Sequence, residues 1–166
     1  GDQRIWLAFR LFNGLKRLEY REAGDAVEPD GPIGMVYDRL GEFLAETHEV
    51  IEFAFDWRLP IEKEGERLGS AVGLALGARK DSGQPVRLLA HSMGGLVARA
   101  MQLECKEVWD DMMAREGARV LMLGTPNAGS WAPMQVLSGD DSFGNMLVDI
   151  GAPFQDSSAR ELMAQM

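Results

Sequence analysis

Ser92 is the residue of this 166-residue chain best placed to do chemistry. It stands in Ala90-His91-Ser92-Met93-Gly94-Gly95, between an apolar run of strand length and a segment whose apolar residues return at helical spacing. Val86, Leu88, Leu89 and Ala90 make the run, behind the turn signal Ser82-Gly83-Gln84-Pro85. Leu96, Val97, Ala100, Met101 and Leu103 make the helical stripe, so the period switches from strand to helix within about one turn of Ser92. A hydroxyl on such a corner stands clear of both elements, and the unpaired N–H groups of the first helical turn face the space in front of it. A developing oxyanion there would meet donors and the positive end of the helix dipole. The pattern small-x-Ser-x-Gly, with a strand before it and a helix after it, is that of a nucleophile elbow, here with Ala90 where glycine usually stands. A serine that only caps a helix needs neither His91 nor the close-approach glycines Gly94 and Gly95.

The rest of the chain must position that corner. The length suits one domain with a real core. Apolar residues make up 46% and charged residues 26%, as in a soluble globular protein. The net charge of −9 argues against a nucleic-acid surface and against binding anionic lipid headgroups by charge alone. Cys105 is the single cysteine, so no intrachain disulfide can form, and Glu104 and Glu107 beside it disfavour a thiolate nucleophile. No run is long and apolar enough to span a membrane, and the chain begins at Gly1.

In chain order, residues 4–20 mix large apolar groups with bases. Packing against the domain body is the commoner fate of such a stretch, and an amphipathic lipid-surface segment is the other. Residues 22–34 have loop composition. Val36, Tyr37, Leu40, Phe43 and Leu44 then predict one face of a helix ending near Thr47-His48. The aromatic and β-branched run from Val50 to Arg58 predicts a strand, stopped by Pro60. Leu68, Ala71, Val72, Ala75 and Leu76 predict a helix over 61–80 that lies on a sheet. The helix after Ser92 is expected to run to about Glu116, followed by a strand over 119–124 and the loop Thr125-Pro126-Asn127-Ala128-Gly129-Ser130. This alternation predicts an α/β fold, a mostly parallel sheet covered on both faces by helices. Residues 1–130 read as the core and 131–166 as the start of an excursion over the active-site end. Asp140 and Asp141 could serve as metal ligands, but Gly-Asp-Asp reads as a turn, and no coordinating or cofactor set surrounds it.

Four features together carry a family resemblance: Phe55-Asp56-Trp57-Arg58, the Ala90–Arg99 segment, Leu123–Ser130, and their order. They resemble the lecithin:cholesterol acyltransferase-like branch of the α/β-hydrolases, a group of lipases, phospholipases and acyltransferases, from about Val36 to Trp131. The resemblance implies a partial α/β-hydrolase fold, Ser92 as acyl nucleophile, the Met93 backbone N–H as one oxyanion donor, and a cap or lid region after Ser130. It implies a lipid or other ester as substrate, with a lipid surface as a partner to consider.

The departures are equally specific. Residues 1–34 hold no counterpart of the family's loop for the second oxyanion donor. The family places its acid and histidine after the nucleophile, yet no histidine follows Ser92. His91 would point to the other side of its strand. His48 closes the first helix, and its use as base would demand a topology the family does not show. The chain is therefore expected to be an internal segment of a longer hydrolase, with little or no esterase activity alone. Its sheet is expected to carry a gap between the 50–55 and 86–90 segments unless another segment fills it. The rival readings are a non-catalytic interaction domain that kept the elbow and lost the triad, and a peptidase, against which the Thr125–Ser130 loop speaks.

Overall fold

The computed structural model describes residues 27–131, 134 and 135. Its elements are α1 (Gly34–Ala45), α2 (Ile61–Ala78), β1 (Arg87–His91), α3 (Gly94–Glu104), α4 (Lys106–Ala114) and β2 (Arg119–Leu123). All lie in one compact unit, Pro29–Asn127. Of the other unit, the described part includes a helical turn in which the Gln135 N–H donates to the Trp131 carbonyl at 3.0 Å. The expected segment 4–20 and the turn at Asp140 lie outside the described residues.

β1 and β2 pair in parallel, from Arg87 opposite Arg119 to His91 opposite Leu123, with α3 and α4 forming the crossover between them. The α/β class follows from that unit. Side chains alternate along both strands: Leu88, Val120 and Met122 pack toward the helices, while Leu89, Leu121 and Leu123 stand exposed on the opposite face. The core helices α2, α3 and α4 lie on the first face; on the second, α1 reaches His91 through Tyr37 and leaves Leu89, Leu121 and Leu123 exposed.

Leu68, Val72 and Leu76 of α2, Val97, Ala98 and Met101 of α3, and Met112 of α4 form the core. Burying each of the larger side chains contributes about 1.5–3 kcal/mol. Glycines bring α2 and α3 this close. A Cβ on Gly65 would lie 2.7 Å from the Met101 nitrogen, and one on Gly69 would lie 2.8 Å from Cys105 Cβ. Contact thus advances along both helices together, so they run in the same direction. Arg115 closes the bottom of α2, donating to the carbonyls of Leu76 at 3.1 Å and Arg79 at 3.4 Å, as suits a cation at a helix C-terminus.

Three expectations need correction. The run from Val50 to Arg58 is no strand: among the described residues it pairs with neither β1 nor β2. Its β propensity is used instead to pack Phe53 and Phe55 against the core. The described ladder thus holds two strands and no third beside β1. The helix after Ser92 is broken at Cys105, whose φ of −120° and ψ of 51° are not helical. Beyond the break, Val108, Trp109 and Met112 face the core. The face of α1 is also split, with Val36 and Phe43 exposed.

Candidate active site

Ser92 sits between β1 and α3 with φ at +51°, the sole non-glycine positive φ among the described residues. Such backbone costs a serine about 1–2 kcal/mol, so the surroundings must hold it. One anchor is the Ser92 N–H, which donates to the Leu123 carbonyl at 2.8 Å and ties the corner to the end of β2. Ser92 itself is exposed. Met93 begins the helical backbone at φ −57° and ψ −25°, and its carbonyl accepts from the N–H groups of Leu96 and Val97. Among the described residues, no backbone acceptor is paired with the Met93 N–H. Strand, one-residue corner and immediate helix are thus as the spacing predicts.

The two glycines after Met93 are not equivalent. A Cβ on Gly95 would stand 2.6 Å from Thr125 Cγ2 and closer still to Thr125 Oγ1, so only glycine lets the loop after β2 lie against the first turn of α3. A Cβ on Gly94 would meet just the Phe55 ring edge, at 3.7 Å. Thr125 Oγ1 is buried with no hydrogen-bond partner among the described residues. The same loop is fixed to α3 from Arg99, whose Nη1 donates to Asn127 Oδ1 at 3.1 Å.

Behind Phe55, the chain turns with the Leu59 N–H donating to the Asp56 carbonyl at 3.1 Å. Inside this turn Arg58 donates to Asp56 three times: from Nε to Oδ1 at 2.8 Å, from Nη2 to Oδ2 at 2.5 Å, and from its backbone N–H to Oδ1 at 3.1 Å. The Arg58 side chain is 2% exposed. Burial alone would raise the Asp56 carboxyl's pKa. The side-chain and backbone hydrogen bonds from Arg58, then the charges of Arg58 and Arg67, outweigh it and hold the pKa below its ordinary value. Asp56 and Arg58 thus hold the turn together by pairing with each other. Next to them Glu64 is buried and paired with Arg67, whose guanidinium lies 5.4 Å above the Phe53 ring.

The histidines fall at opposite ends of β1. His48 Nε2 accepts from Arg87 Nη1 at 2.8 Å, and Arg87 Nε donates to the Gly117 carbonyl at 2.9 Å, which keeps the group at the start of the strand. Because arginine only donates, His48 carries its proton on Nδ1, 2.8 Å from Thr47 Oγ1. About 16 Å of strand separate that end from Ser92, so His48 cannot act as its base. His91 lies on the exposed face, and its Nδ1 is 2.6 Å from the Tyr37 hydroxyl. Tyr37 is a residue of this neighbourhood that helical periodicity alone assigns to a core face. Burial first, then the carboxylates of Glu66 and Glu104, pushes the Cys105 thiol up, which leaves it a poor nucleophile.

The family described as lecithin:cholesterol acyltransferase matches residues 7–159. The phosphatidylcholine-sterol acyltransferase of Oryctolagus cuniculus is 34% identical over 90 residues, covering 54% of this chain and 20% of that protein. Those of Homo sapiens and Gallus gallus are 33% and 30% identical over the same length, covering 54% of this chain and 20% and 21% of those proteins. No solved structure matches. The chain spans about a fifth of the length of these curated relatives. With a match over most of its length and the corner, turn and loop in the expected order, the chain belongs to the lecithin:cholesterol acyltransferase family.

Proposed function

We propose that this chain carries the nucleophile of a serine-dependent acyl-ester hydrolase or acyltransferase that acts on lipid esters. The observation that carries the reading is the left-handed backbone of Ser92, held between a parallel strand and a helix. Ser92 Oγ attacks the ester carbonyl and gives its proton to a base. The resulting oxyanion accepts from the Met93 N–H and feels the positive end of α3. Collapse breaks the bond to the alcohol, which leaves protonated, and forms an acyl-enzyme on Ser92. Water or a second alcohol then takes the acyl group by the reverse sequence. Relatives named for phosphatidylcholine and sterol support lipids as the substrate class.

The base must come from outside these 166 residues, because no histidine follows Ser92 and His48 sits at the far end of β1. The fold is read as a partial α/β-hydrolase core over 1–130, with 131–166 opening a cap. The reading includes peripheral contact with a lipid surface; no described helix is long and apolar enough to cross a membrane. The missing base also favours a second reading, a non-catalytic interaction domain that kept the corner.

Fluorophosphonate labelling separates the two. The protein as its gene encodes it should label at Ser92, the Ser92→Ala variant should not, and residues 1–166 alone should label weakly or not at all. Absence of labelling in the gene-encoded protein would favour the interaction domain.

A further inference from the structure

Ser92 pays for its conformation continuously, and the Leu123 carbonyl restrains the corner from the β2 side only. On the other side stands α1, whose Val36 and Phe43 are turned outward. What α1 does present inward is Tyr37. Its ring meets the His91 ring edge-on, with centroids 5.8 Å apart and planes at 66°, and its hydroxyl lies 2.6 Å from His91 Nδ1. His91 is the last residue of β1 and the immediate neighbour of Ser92. Two aromatic groups 54 positions apart thus make a ring contact and a short hydrogen bond on the residue that leads into the corner.

We propose that Tyr37 is a positioning residue: acting through His91, it clamps the end of β1 and holds Ser92 in its left-handed conformation. The inference gives a role within the site proposed above, and its functional meaning rests on that reading. The clamp itself does not. In the proposed clamp the Tyr37 O–H donates to Nδ1 and the His91 proton sits on Nε2, the tautomer that the 15N measurement below reads. Losing the hydroxyl while keeping the ring removes the hydrogen bond and leaves the edge-on packing. The strained φ at position 92 then has one restraint fewer.

Amide hydrogen exchange in the gene-encoded protein tests this without any need for catalysis, because the Ser92 N–H is sequestered in its bond to Leu123 and exchanges when the corner opens. Tyr37→Phe should speed exchange at position 92 by about tenfold, the scale of one net hydrogen bond, with Val97 and Met101 in the core unchanged. In a Ser92→Gly background, where the left-handed backbone costs nothing, the same substitution should have little effect. The His91 ring should show Nδ1 as the unprotonated nitrogen by 15N shift and lose that signature's hydrogen-bond component in Tyr37→Phe. Unchanged exchange at position 92, equal acceleration at Val97 and Met101, or an undiminished effect in the Ser92→Gly background would overturn the clamp. A clamp that behaves as described in a protein that no fluorophosphonate labels would instead sink the proposed function alone.

Discussion

Asp56 shows how a single side chain can be both buried and charged. Its carboxylate is saturated by three donors from Arg58, and Arg58 in turn is nearly inaccessible to water. Replacing Asp56 by asparagine takes a carboxylate charge and an acceptor away from a buried guanidinium and should cost about 1–3 kcal/mol at pH 7, measured by urea unfolding. The pH dependence has a definite sign. The folded-state pKa is lowered below the unfolded value of about 3.9, so the pair's contribution is fully present above that value and fades as pH falls through the folded pKa. Wild type should therefore lose stability below about pH 4 more steeply than Asp56→Asn, and parallel acid profiles would show the pair to be irrelevant. Asp56 and Arg58 stand two residues apart, so this pairing is a local one. The contact of Tyr37 with His91 was not legible in the sequence, because no local pattern joins residues 54 positions apart.

At the scale of elements, the α2 and α3 crossing depends on backbone proximity that side chains would block. Gly65→Ala would set a Cβ against the backbone of Ala100 and Met101, and should destabilise by about 1–3 kcal/mol. Gly73→Ala, in the same helix with nothing within 4 Å of the added carbon, should instead stabilise by about 0.5–1 kcal/mol through helix propensity. Thermal unfolding of the two variants checks the pair, and equal shifts would contradict the close crossing. Helix α2, the period switch at Ser92 and strand β2 were readable because amphipathic spacing and strand length are local properties. The strand expected over 50–58 failed because pairing decides a strand, and a run of Phe and Ile cannot announce whether a partner lies beside it. The break at Cys105 carried no glycine or proline to mark it. Cys105 sits against Gly69, so its signal lay in another helix.

For the molecule as a whole, one end of β1 carries the Ser92 corner on which the proposed chemistry rests, and the other end gathers His48, Arg87 and the Gly117 turn into a structural clasp. That polarity is the usual arrangement of open α/β sheets, with chemistry beyond the carboxyl ends of the strands. The Leu89, Leu121 and Leu123 face of the sheet lies opposite α2, α3 and α4 and meets α1 at His91, while these three leucines stay exposed among the described residues. The most direct test of the account is covalent. The gene-encoded protein should be incubated with a short-chain p-nitrophenyl ester, quenched in acid and digested with trypsin, and the mass of the peptide Leu88–Arg99 measured. The account predicts that peptide heavier by one acyl group, with fragment ions placing it on Ser92 and its loss in Ser92→Ala. Ester turnover with no acyl group on that peptide, or with the acyl group on another residue, would contradict it.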